Sequence, residues 1–323
     1  MHLSQLVGGG VICRQGEAAR LLPGPATIFE LAEEAVRRAM PLAEILPRGG
    51  EKVDLAALAA SNRLDVPLRH PEPARMYLTG TGLTHTGSAS ARDAMHAAQA
   101  GEASDSLKMF RIGLEGGRPD PGLAGAQPEW FYKGPGTEAV APGAALASPA
   151  FALDGGEEPE IAGYYLIGPD GQPWRIGFSL ANEFSDHVTE RINYLYLAHS
   201  KLRPAAFGPE LLLGELPKRI EGRSRVLRGG EVIFDAPFLS GEDHMSHSIA
   251  NLEHHHFKYA PFRRPGDLHI HMFGTATLSF SRGVTAQEGD VFEISAPPFG
   301  LPLRNPLTVL SGDPERAVPI RAL

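Results

Sequence analysis

The segment Glu157-Glu158-Pro159-Glu160-Ile161-Ala162-Gly163-Tyr164 sets two carboxylates two residues apart where a run of strand-forming residues begins. Residues i and i+2 of a strand point to one face, so Glu158 and Glu160 would stand side by side. Like charges that close repel, and burying them unpaired is costly. A divalent cation between them removes the conflict. Downstream, Phe178-Ser179-Leu180-Ala181-Asn182-Glu183 ends a second predicted strand with a third carboxylate. Three carboxylates and no thiol make a hard oxygen site, suited to a divalent cation, Mg²⁺ ahead of Mn²⁺ or Ca²⁺. The competing reading is a solvated acidic edge, the usual fate of a Glu-x-Glu. Pro159, which cannot donate to a ladder, also points to an edge strand or a bulge.

Histidine is the second chemical signal. Seven of the 13 histidines fall between His244 and His271. His269 and His271 would share one strand face, with His254-His255-His256 close by in sequence. A cupin-like His site is the sharp alternative to the carboxylate site. A cupin, however, calls for a Glu three or four residues after His-x-His, where Gly274 and Thr275 stand. Structural roles, or roles behind a site, are the expectation for these rings.

The elements that must position these groups are short. Gly at 37 and Pro at 28 are spread along the 323 residues rather than gathered in a linker, which favours many short strands joined by turns. Strands are expected at Ile12–Cys13, Arg20–Leu22, Ile161–Ile167, Arg175–Leu180, Val232–Phe234, His269–Met272, Thr277–Phe280 and Val291–Ile294. Thr27–Leu46 has a helical apolar period, with Thr27 as N-cap and Glu30 as its capping-box partner. Further helices are expected near Ser90–Ala100 and Ser246–Lys258, and a glycine-rich loop at Gly113–Gly125. The Pro-containing stretch Leu68–Pro73 suggests a small N-terminal α/β domain over 1–73 and a larger domain over 74–323. Strands outnumber helices, so the expected class is α+β, a curled mixed β-sheet core with peripheral helices.

Composition narrows the function. A net charge of −8 argues against nucleic acid, which needs a basic face. Cys13 is the single cysteine, which excludes an intrachain disulfide and a cysteine-based zinc site. No apolar run reaches the roughly 18 residues of a membrane span. Met1–Gly10 lacks the basic and apolar regions of a secretory signal, so the cytoplasm is the expected location.

Over about residues 75–310 the chain resembles the fumarylacetoacetate-hydrolase-like superfamily through an ordered series of segments. Leu78–His85 is similar to its opening Gly-x-Asn-Tyr segment. Pro128-Glu129-Trp130-Phe131-Tyr132-Lys133 is similar to its Pro-x-x-Phe-x-Lys. Glu158-Pro159-Glu160 resembles its Glu-x-Glu metal pair, and Asn182-Glu183 stands where Asn-Asp is usual. Phe207-Gly208-Pro209 resembles the Gly-Pro that follows a lysine, best matched by Lys201. Pro265-Gly266-Asp267 with Phe273-Gly274-Thr275-Ala276, and then Glu288–Ile294, complete the series. The hydrolases of this superfamily carry a His and a Glu on a lid helix; the matching positions here are Ser88 and Ala91, with His85 and Arg92 nearby. That departure points to the sugar-acid branch, with its 2-keto-3-deoxypentonate dehydratases and GguC-like proteins.

The resemblance implies a roll- or barrel-like core of the superfamily's C-terminal type and a homodimer. It implies Glu158, Glu160 and Glu183 as metal ligands, and Lys133 and Lys201 as the catalytic lysines. Thr84, His85, Ser88, Gly274 and Thr275 would bind substrate. The implied reaction is dehydration of a 2-keto-3-deoxy sugar acid to 2,5-dioxopentanoate through a metal-stabilised enolate. Alternatives are a metal-dependent C–C hydrolase or decarboxylase of acylpyruvate-type 2-keto acids, and a non-catalytic sugar-acid-binding protein.

Overall fold

A computed structural model of the chain describes residues 1–86 and 104–323. The helix expected near Ser90–Ala100, and with it Ser88, Ala91 and Arg92, lies outside the described residues. The fold is mixed α and β, with two sheets and few helices.

The larger sheet has twelve strands. Its main path runs Glu51–Lys52, Ala18–Leu21, Val11–Gln15, His2–Gln5, Leu211–Leu212, Pro173–Glu183, Pro159–Ile167, Leu268–Met272, Met76–Gly82 and Glu129–Pro135. Off this path, Ala205–Phe207 pairs with the end of Pro173–Glu183, and Ala139–Val140 pairs with Ala205–Phe207. The second sheet runs Glu231–Ser240, Ile220–Arg228, Val291–Ser295, Leu303–Val309 and Leu146–Ser148. Most pairs are antiparallel, but Leu268–Met272 runs parallel to Met76–Gly82. Neither sheet closes on itself among the described residues, so the barrel-like expectation is corrected to two open sheets. Residues 1–73 contribute the four outermost strands on one side of the larger sheet.

Two apolar cores lie against these sheets. One gathers Ile28, Leu31, Ala32 and Ala35 against Tyr164, Leu166, Ile270 and Met272. The other joins Ile161, Phe178, Leu180 and Phe184 to Phe238, Phe292 and Ile294 of the second sheet. The strand Pro159–Ile167 is buried along its whole length, because its two faces meet different cores.

Pro159 does not make this an edge strand. The strand lies between Pro173–Glu183 and Leu268–Met272, and Pro159 is its first residue, where a missing N–H costs no interior ladder bond. The expected helix begins as read: Thr27 caps Ile28–Arg38, and both halves of the capping box with Glu30 form. It stops at Ala39 in the left-handed region, and Pro41 precedes a separate turn at Leu42–Ile45.

One expectation is trimmed and one overturned. The glycine-rich loop begins only at Gly117, because Gly113–Gly116 are the last turn of the helix Asp105–Gly116, capped by Ser104. Gly113 lies on that helix where it passes His247; a Cβ there would come within 2.5 Å of the ring Nε2. The glycine serves close packing rather than a bend. Thr277–Phe280 forms no strand. Ser279 gives both its N–H and its hydroxyl to Glu157, and the N–H of Thr277 goes to the Thr275 hydroxyl, so side chains take the groups a ladder would need.

Candidate metal centre

Glu158 and Glu160 straddle the start of Pro159–Ile167, and Glu183 ends the neighbouring strand. The antiparallel register sets Ala181 opposite Glu160 and Asn182 opposite Pro159, which brings the third carboxylate beside the first two. One oxygen from each of Glu158, Glu160 and Glu183 lies within 4.8 Å of the others. All three residues are buried, at 8%, 1% and 0% exposure, which rules out a solvated acidic edge.

Two lysines complete the cluster. Lys133 Nζ donates to Glu183 Oε1 at 3.0 Å and to the carbonyl of Phe184. Lys201, at the end of the helix Leu197–Lys201, donates to Glu158 Oε1, to Glu183 Oε2 at 2.9 Å and to the Ser185 hydroxyl at 3.2 Å. Its ammonium also lies 5.1 Å from the centre of the Phe131 ring. Lys201 lines the cleft over the carboxylates together with Gly82, Leu83, Phe131, Thr275 and Leu278, whereas Lys133 sits behind Glu183.

Glu160 is the least compensated of the three acids. Its Oε2 accepts the Gly274 N–H at 2.6 Å, while its Oε1 is buried with no hydrogen-bond partner. Burial first, then the Glu183 and Glu158 charges, push it well above the usual carboxylate range. Burial and Glu158 also raise Glu183, although Lys201 and Lys133 pull the other way. For Glu158, Lys201 and His187 outweigh burial and hold it well below its ordinary value. Burial lowers Lys133 despite the adjacent Glu183. A buried carboxylate oxygen without a donor, facing two further carboxylates, fits a hard divalent cation.

Gly274 is tightly placed. Its φ is +91°, and a Cβ would come within 2.3 Å of Thr84 Oγ1, so both backbone conformation and space demand glycine. Thr84 donates to the carbonyl of Phe273 and meets His85 Nδ1 at 3.0 Å. His85 in turn meets Ser240 Oγ at 3.1 Å, and burial, with His244 nearby, lowers it to about 3. Thr84 and His85 therefore pack behind Gly274, while Gly274 and Thr275 line the cleft.

Sequence reading did not find several buried polar residues around the triad. His187 meets Glu158 Oε1 at 3.2 Å and Asp154 Oδ2 at 3.3 Å. Burial alone would lower His187, but these two bonds prevail and raise it to about 10. Glu157 binds Ser279, and burial raises it to about 7. Glu129 shares a strand face with Phe131 and Lys133, stands opposite the cleft residue Gly82 and accepts the Tyr194 hydroxyl at 2.9 Å. The alternation Glu129-x-Phe131-x-Lys133 was the one available signal for it.

The histidine-rich region forms a separate buried stack. His256 Nε2 meets His269 Nδ1 at 3.0 Å, His271 Nδ1 meets Thr79 Oγ1 at 2.8 Å, and Trp130 donates to His256 Nδ1 at 3.2 Å. Among the described residues, the carboxylate triad is the only group of three or more potential ligands placed to share an ion.

No protein-family model and no curated protein matches the chain. Solved structures do match over nearly its whole length. An apo form of 2-keto-3-deoxy-D-arabinonate dehydratase superposes with a TM-score of 0.71 at 19% identity, covering 97% of this chain and 100% of that one. The same enzyme complexed with magnesium and 2,5-dioxopentanoate gives 0.70 at 19% identity, with the same coverage. A 5-carboxymethyl-2-hydroxymuconate delta-isomerase from Mycobacterium smegmatis gives 0.58 at 16% identity, covering 96% and 100%. The chain thus shares the fold of these enzymes over nearly its whole length. No helix among the described residues is long and apolar enough to cross a membrane.

Proposed function

We propose that this chain is a divalent-cation-dependent hydro-lyase that dehydrates a 2-keto-3-deoxy sugar acid, converting a 2-keto-3-deoxypentonate such as the arabinonate to 2,5-dioxopentanoate. The observation that carries the reading is the buried convergence of Glu158, Glu160 and Glu183 at the floor of a small cleft, with an oxygen of Glu160 left without a donor. The fold shared with a dehydratase whose structure holds magnesium and 2,5-dioxopentanoate supports it.

Glu158, Glu160 and Glu183 would hold the cation, Mg²⁺ first. When bound, it would supply Lewis-acid polarisation of the C2 carbonyl and so acidify the C3 proton. Lys201, whose ammonium faces the cleft, is the proposed cation beside the developing negative charge and the proposed donor of the proton that leaves with the C4 hydroxyl as water, its proton being replaced by the one lost from C3. Lys133 keeps Glu183 oriented from behind, and its lowered basicity suits it to pass a proton. Thr275 would offer the substrate carboxylate its hydroxyl at the cleft wall, while Gly274, whose N–H is held by Glu160, lets the chain pass close to the site and Thr84 and His85 fix that wall. Loss of the C3 proton and the C4 hydroxyl as water leaves an unsaturated alcohol, which tautomerises to the 5-aldehyde. We further propose residues 1–73 as a small domain joined to a catalytic region over 74–323, and a homodimer.

The test is to supply chelator-treated protein with Mg²⁺ or Mn²⁺ and a panel of 2-keto-3-deoxy acids and 2,4-diketo acids, and to read product masses. Loss of 18 mass units from a C4-hydroxylated acid is the expected result. Cleavage of a diketo acid would favour the C–C hydrolase reading. Ligand binding without turnover of any compound would leave a binding protein.

A further inference from the structure

The reaction outlined above makes no use of His187, yet this side chain is held from three directions. It opens the helix His187–Ile192, whose N-cap Asp186 accepts the Thr189 N–H at 2.9 Å and pairs with Arg203 at 3.0 Å. The ring is 1% exposed. Its Nε2 meets the Glu158 carboxylate and its Nδ1 meets Asp154. Gly156 gives the ring its seat, because a Cβ there would come within 2.7 Å of Nδ1. On the third side the ring stacks on Phe280, with centroids 5.1 Å apart and planes 22° from parallel.

Phe280 belongs to the segment 275–282, which brings Thr275 and Leu278 to the cleft wall. That segment is tied a second time, where the Ser279 N–H and hydroxyl reach Glu157 at 3.0 and 2.6 Å. Two adjacent acids therefore serve one segment. Glu157 holds it directly, and Glu158 reaches it through His187.

We propose that His187 is a positioning residue that joins the acidic triad to the wall segment 275–282. A divalent cation seated on Glu158 would tighten the segment that carries Thr275 and Leu278, and order in that segment would raise cation affinity. The proposal rests on the reading of Glu158, Glu160 and Glu183 as a cation site. The physical basis is short. A cation fixes the torsion of the Glu158 carboxylate, the bond from Nε2 then fixes the imidazole, and the imidazole face is what Phe280 packs on. Such linkage is reciprocal, so each side must stabilise the other by the same factor. Groups that orient a metal ligand from behind commonly change affinity by about 10- to 100-fold.

The experiment uses the full chain, stripped with chelator. Mn²⁺ dissociation constants are read from free-Mn²⁺ electron paramagnetic resonance, and amide exchange of the 275–283 peptide is followed with and without Mg²⁺. His187→Ala removes every ring contact, His187→Gln keeps one donor toward Glu158, and Phe280→Leu removes the stack while touching no carboxylate. Mg²⁺ should slow exchange of the peptide in the unmodified chain. His187→Ala should weaken Mn²⁺ binding about tenfold or more, with partial recovery in His187→Gln. Phe280→Leu should abolish the Mg²⁺-dependent protection and weaken Mn²⁺ binding by the same factor as the protection it removes. If His187→Ala does not fold by circular dichroism, His187→Gln and Phe280→Leu decide. A purely structural role lowers melting temperatures but leaves the Mn²⁺ constants and the exchange response intact, and that pattern overturns the proposal. So does an unmodified chain that binds Mn²⁺ without any change in the 275–283 exchange. A chain that binds no Mn²⁺ at all removes the cation site itself, and this proposal with it.

Discussion

Glu160→Gln separates the cation reading from any structural reading of the triad. The side chains are nearly isosteric, and the amide oxygen can still accept the Gly274 N–H that Glu160 Oε2 accepts at 2.6 Å. What changes is charge. At the 4.8 Å that bounds the triad's oxygens, two like charges repel by roughly 3.5 kcal/mol at an effective dielectric of 20. Burial and the two neighbouring carboxylates already push Glu160 toward its neutral form. A neutral glutamine should therefore cost the cation-free protein little, and its melting temperature should stay close to that of the unmodified chain. The cation-loaded protein behaves otherwise. A cation at 100 times its dissociation constant adds about 2.7 kcal/mol. Spread over an unfolding entropy of about 0.7 kcal/mol/K for 323 residues, that is a gain of about 4 °C. Calorimetry of chelator-treated protein, with and without Mg²⁺ or Mn²⁺, should show this gain in the unmodified chain and none in Glu160→Gln. An equal gain in both would refute the assignment. Because burial and the neighbouring carboxylates favour the protonated form of Glu160, with which a cation would compete, cation affinity should also rise with pH.

Three further outcomes are expected. Lys201→Met removes the ammonium that bridges Glu158 and Glu183 and should cost the cation-free protein roughly 3 kcal/mol, the low end for breaking a buried pair, read from urea midpoints, because each carboxylate loses one cationic partner but keeps another, His187 or Lys133; added Mg²⁺ should restore part of the loss. Burial lowers His85 and His271 to about 3 and His269 to about 4, below the unfolded value of 6.5. The unfolded chain therefore takes up protons first as pH falls, and stability should drop from about pH 6.5 downward, by on the order of 2 kcal/mol per histidine at pH 5; an unchanged urea midpoint between pH 7 and 5 would contradict their burial. Gly274→Ala places a Cβ against Thr84 Oγ1 at a φ of +91° and should abolish turnover even if the variant folds, measured against the best substrate of the panel.

The chemistry was more legible in the sequence than the topology. Glu158 and Glu160 announced themselves through their strand spacing, and Glu183 through its place at the end of the next predicted strand. The Thr27–Glu30 capping box was readable because both halves lie within one helical turn. Pro159 misled, since a proline's missing donor excludes a strand interior but not the first position of a central strand. The Gly113 region misled because a glycine reads as flexibility, whereas here it makes room for a ring 134 residues away in the chain.

Residue types and local spacing alone determined the hard oxygen donors, the lack of any sulfur site, the strand-rich class and the best-formed helix. Those properties depend on side-chain chemistry and on contacts within a few residues. Tertiary structure alone decided that the three acids are buried together, that Lys201 faces the cleft while Lys133 stands behind Glu183, and that His187 ties Glu158 to a segment more than 90 residues further on. Each of these depends on which strand lies beside which and in what register. That choice is made by the two apolar cores closing over both faces of Pro159–Ile167, and no short window of the chain contains it.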